Sequence, residues 1–81
     1  MNFEETKDYI KAKAIYHKAE MALAVKGFKI QESIIQNYLY LAFQRLLIRI
    51  DGEEYGSVIC TEIDKESIAM VERWKNEKES A

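Results

Sequence analysis

The sequence predicts a small, mainly α domain of three helices, and three observations lead there. There is no proline, and only three glycines, Gly27, Gly52 and Gly56, punctuate 81 residues. Good helix formers (Ala, Lys, Glu) dominate the first third. Apolar residues recur at three- and four-residue spacing for most of the length. The expected helices run over about 3–26, 31–50 and 63–78, within one domain spanning 1–81. An α+β alternative places a β-hairpin at about 46–62.

The first helix carries two apolar stripes. One holds Phe3, Ile10, Ala14, His17, Met21, Ala24 and Val25, and the other holds Tyr9, Ala12, Tyr16, Ala19 and Leu23. Glu4, Asp8, Lys11 and Lys18 form a polar edge between them. Two stripes predict a helix covered on two sides. Gly27 is expected to stop it, because glycine is favoured just past a helix end.

In the second helix Ile34, Ile35, Tyr38, Leu39, Tyr40, Leu41, Ala42 and Phe43, continued by Leu46, Leu47, Ile48 and Ile50, point in almost every direction. Such a helix is a buried one. Two neighbours in so short a chain cannot cover it, so its far side is expected to meet another molecule. Its end reads two ways. In the first, the helix continues to Ile50 and Asp51-Gly52 caps it. In the second, Asp51-Gly52 is a hairpin turn that sets Arg49 opposite Glu54 and Ile48 opposite Tyr55. The β-branched Val58, Ile59 and Thr61 suit strands. An isolated two-stranded hairpin is weak unless something packs on it, and the two readings stand nearly even, with a lean to the helix because short apolar runs fit either form.

The third helix is expected to start near Ile63 or Asp64, capped by Thr61 or Asp64. Ile63, Ser67, Met70, Val71 and Trp74 make one stripe, with Lys65, Glu66, Glu72 and Arg73 facing away. Lys75 and Lys78 lie where the helix dipole favours cations.

Small domains bury a modest fraction of their surface and lean on disulfides, metals or oligomerisation. One cysteine, Cys60, excludes an intrachain disulfide, and one histidine, His17, excludes the usual zinc sets. Oligomerisation is the remaining route. The net charge of −2 gives no general pull towards nucleic acid or anionic membrane. No leader-like N-terminus and no apolar run of membrane-spanning length is visible, and a lone thiol suits a reducing compartment, so a cytoplasmic location is expected.

No motif carries chemistry. The glycines are too scattered for a phosphate loop. Asp51, Glu53 and Glu54 do not match a calcium loop and read as a solvated acidic turn. Cys60 reads as a buried, inert thiol, and His17 as a hydrogen-bonded helix contact. No catalytic residue, metal or cofactor is assigned. The run Lys18–Phe28 followed by Asn37–Phe43 loosely resembles the first helical hairpin of HEPN-type proteins, over about a third of the chain and in a pattern generic to helical hairpins. Nuclease members of that family use an Arg followed four to six residues later by His, and no His follows Arg45, Arg49 or Arg73.

These readings lead to a non-enzymatic protein–protein interaction module, an adaptor, inhibitor or small regulatory subunit, expected to be homodimeric. The expected contact residues are Tyr9, Tyr16, Leu23, Tyr38, Leu41 and Ile48. The partners are a second copy and another protein, with no membrane. The alternative is a nucleic-acid-binding regulator using Lys7, Lys11 and Lys18 of the first helix, where lysines and tyrosines interleave.

Overall fold

A computed structural model describes residues 2–52 and 56–80, all of it helix and connecting turn. Helix α1 is Phe3–Lys26, α2 is Ile30–Asp51 and α3 is Gly56–Ser80. The first two match expectation to within a residue. No strand occurs among the described residues, so the hairpin at 46–62 is not formed. Ile48 and Arg49 lie within α2, while Glu54 and Tyr55 lie outside the described residues.

Helix α3 begins seven residues before Ile63, which corrects its expected start. Thr61 and Asp64 are inside the helix and do not cap it. The reason is tertiary. Ile59 stands one turn before Ile63, and both pack into the same core. That burial overrides the strand preference of Val58, Ile59 and Thr61.

The two ends of α1 are fixed by local hydrogen bonds. Asn2 caps the start: its side-chain oxygen accepts the Glu5 N–H at 2.8 Å, and its amide donates back to the Glu5 carboxylate at 3.3 Å. At the other end the Phe28 N–H donates to the Val25 carbonyl and the Lys29 N–H to the Ala24 carbonyl. This is a Schellman closure. Its left-handed residue is Phe28, at φ 57°, whereas Gly27 sits at an ordinary φ of −88°. The glycine stop is thus one position out of step with the turn that needs it. At the end of α2, Gly52 does supply the positive φ, 95°, and its N–H donates to the Ile48 carbonyl at 2.7 Å.

Helix α1 is the shared middle of the molecule. It packs along α2 on one side and α3 on the other, while α2 and α3 hardly touch. The core joins Ile10, Ala14 and Ile15 of α1, Tyr40 and Leu47 of α2, and Ile59 and Ile63 of α3. Towards α2, α1 presents Ile10, Ala14 and His17, and α2 answers with Gln36, Tyr40, Phe43, Leu47 and Ile50 at heptad spacing.

The second covered side of α1 differs from expectation. It is not the stripe of Tyr9, Tyr16 and Leu23, which stays exposed apart from Ala19. Helix α3 docks instead on the edge read as polar, over Ile15 and Ala22 and between Lys11 and Lys18. Small residues permit close approach there, and the lysine stems cover apolar surface while their ammonium groups reach out. The α3 stripe is placed as read: Ile63, Ser67 and Val71 are buried, Met70 and Trp74 half-buried.

Candidate functional site

The polar groups come first, because a catalytic site would be built from them. His17 projects from α1 towards α2. Its Nδ1 lies 2.7 Å from the Gln36 amide oxygen, so Nδ1 carries the proton and donates. The imidazole stacks on Phe43 with ring centroids 5.6 Å apart and planes 5° apart, and the Tyr16 ring meets it edge-on. His17 is therefore a helix-contact side chain.

Cys60 is a half-buried free thiol whose Sγ accepts from Gln44 Nε2 at 2.9 Å. The same amide donates to the Tyr40 hydroxyl oxygen at 2.7 Å. Burial pushes the Tyr40 hydroxyl above its ordinary pKa. His17 and Cys60 thus use different glutamines of α2 and form no nucleophile–base pair. Among the described residues no group of three or more His, Cys, Asp or Glu converges to hold a metal ion. Ser67 is buried and donates to the Asp64 carbonyl at 2.9 Å.

The three lysines considered for nucleic acid are each paired with an acid of another helix. Lys7 meets Asp51 at the end of α2 at 2.5 Å, with Glu4 at 3.8 Å. Lys11 meets Glu62 of α3 at 2.6 Å. Lys18 meets Asp64 of α3 and also lies 4.9 Å above the Tyr40 ring. The hydrogen bond that Lys7 donates to Asp51 raises its pKa, and the one that Lys11 donates to Glu62 does the same. Solvent screening leaves such surface pairs a small share of the stability. Their consequence for function is a line of charge already answered within the fold.

The apolar groups present a different picture. Tyr38 is 79% exposed. Ile34, Ile35, Leu39 and Leu46 share the open side of α2 with it, alongside Ala42, Arg45 and Arg49. A shallow groove of about 470 Å³ runs along Ala42, Arg45, Leu46, Ile48 and Arg49. Leu41 and Ile48 are half-buried, and Leu41 packs against the core. On α1, Tyr9, Tyr16 and Leu23 line up at seven-residue spacing and remain exposed. Tyr16 meets Trp74 of α3 edge-on at 6.0 Å, and its hydrogen bond to Glu20 raises its pKa. Below it Leu23, Trp74 and Val71 line a groove of about 770 Å³, with a rim of mixed charge from Glu20, Lys26, Lys75, Glu77 and Lys78.

Of the six contact residues read from sequence, Tyr9, Tyr16 and Leu23 are exposed on α1 and Tyr38 on α2, whereas Ile48 is half-buried and Leu41 is turned to the core, so Leu41 is not a surface contact. What that reading lacked was Ile34, Ile35 and Leu46, whose exposure follows from how α2 is rotated against α1. It also lacked Phe28 and Ile30 at the α1–α2 turn, where Phe28 is 89% exposed.

No helix of the described residues is long and apolar enough to cross a membrane. No protein-family model matches the chain, and no curated protein or solved structure matches it.

Proposed function

We propose that this chain is a non-enzymatic protein–protein interaction module, an adaptor, inhibitor or small regulatory subunit that works as a homodimer and offers a further surface to another protein. One observation carries the reading. Large apolar side chains line the open faces of α1 and α2, while His17, Cys60 and the helix-bridging lysines are taken up in structural contacts. Apolar surface of this extent on a small protein marks an interface. Tyrosine and tryptophan beside a groove are side chains that anchor partners. The cytoplasm suits the free thiol of Cys60.

No observation favours the nucleic-acid alternative, because Lys7, Lys11 and Lys18 face Asp51, Glu62 and Asp64. Binding to DNA or RNA at low salt that falls steeply with added salt would restore it.

The test is solution mass by light scattering over a dilution series, with binding of the apolar dye ANS measured alongside. A dimer supports the self-associating form. A monomer that binds the dye shifts the role to a different protein partner. A monomer that binds no dye removes the basis of the reading.

A further inference from the structure

Helix α2 carries two heptad seams one residue out of phase. Gln36, Tyr40, Phe43, Leu47 and Ile50 face α1. Glu32, Ile35, Leu39, Ala42, Leu46 and Arg49 run along the open side, and all six are exposed. Their alternating three- and four-residue spacing is the a/d pattern of a coiled-coil seam. Over six positions it extends about 26 Å.

The outer seam complements itself when reversed. Against an antiparallel copy, Glu32 meets Arg49, Ile35 meets Leu46, and Leu39 meets Ala42, and the same three layers repeat beyond the two-fold axis. Each layer sets an a position against a d position, as antiparallel seams require. The central layers join a large side chain to a small one, which lets the backbones approach. Charge decides the direction. A parallel pair would stack Glu32 on Glu32 and Arg49 on Arg49. The antiparallel pair places opposite charges at both ends, and among the described residues neither Glu32 nor Arg49 has an ion-pair partner within its own chain.

We propose that two copies of this chain pair through the outer seam of α2, antiparallel, in the register that sets Glu32 of one against Arg49 of the other. The contact is isologous and closes on itself, so it yields a dimer and not a filament. It leaves the α1–α3 groove at Leu23 and Trp74 open. The proposal rests on the self-association argued above and adds its face, direction and register.

Four proteins test it: the wild type, Glu32→Arg, Arg49→Glu and the variant with both changes. Light scattering gives the dissociation constant of each, and circular dichroism checks the fold, which exposed positions leave intact. Each single change puts like charges in contact and should weaken the dimer by about tenfold or more. The double change exchanges the two ends and should return the constant to within about threefold of wild type. Ile35→Glu should abolish association. A monomeric wild type would overturn both this proposal and the homodimeric form of the function. A wild-type dimer indifferent to either single change, or a double variant as weak as the singles, would overturn this register while leaving self-association standing.

Discussion

Helices α1 and α2 are both rich in apolar residues, yet they spend them in opposite ways. At the core of α1 stand three alanines, Ala14, Ala19 and Ala24, with Ile10 and Ile15, while its tyrosines and Leu23 look outward. In α2 only Tyr40 and Leu47 are buried, and isoleucines line the open side. The middle helix of a three-helix packing needs small residues, because two neighbours approach it closely. A helix with one neighbour has no such limit, and its large side chains are free to serve a second contact. Size at the close approach, more than hydrophobicity, sorts the two.

The largest expected effect contrasts adjacent leucines of α2. Leu47→Ala should cost about 2–5 kcal/mol of unfolding free energy, because the residue is 2% exposed. Leu46→Ala, at 45% exposure, should change monomer stability by under about 0.5 kcal/mol. Urea titrations of both, at concentrations below dimer dissociation, check the contrast. Equal losses would mean that α2 is not one-sided.

Next comes overfilling of α1. Ala14→Leu should cost about 1–3 kcal/mol, since Ala14 has no exposed surface. Ala12→Leu, on the open stripe, should be neutral within about 0.5 kcal/mol by the same titration.

A smaller effect of opposite sign belongs to the turn between the two helices. Phe28→Gly should raise the melting temperature by relieving a left-handed residue, a gain of about 1 kcal/mol. Gly27→Ala should add about 0.4–1 kcal/mol, because Gly27 has an ordinary φ and room for a methyl group.

The smallest effect is alkaline. The pKa values of Lys7 and Lys11 are raised in the folded chain, so both pairs stabilise fully below the ordinary lysine range. That contribution is lost as pH rises through the raised values. Lys11→Met should lower stability slightly in the neutral region, where the pair is intact, and flatten the alkaline end of the stability–pH curve, so that variant and wild type converge there.

Much of this fold was legible in sequence because helix periodicity is local. The stripe from Ile63 to Trp74 is one-sided, and it fixes both the helix and its buried face. The start of α3 was not legible. Val58, Ile59 and Thr61 favour strands by themselves, and only the meeting of Ile59 with the core makes them helical. The docking edge of α1 was hidden by Lys11 and Lys18, which look polar in a one-dimensional pattern although their stems pack. The candidate surface was half legible for a related reason. A helix apolar all round carries no signal of its own rotation, so Tyr38 could be named as a contact while Leu41, one turn away, is turned to the core. The Asn2–Glu5 cap was in plain view as a spacing and escaped because the pairing begins at the second residue.

The central place of α1 also sets a timetable for solvent entry. Helix α3 is held almost entirely by α1, and so is α2. Either outer helix can lift away while the remaining pair stays packed, and in both openings α1 keeps one covered side. Its amides should therefore exchange with deuterium last, only when the whole molecule comes apart, and those of α3 should exchange first.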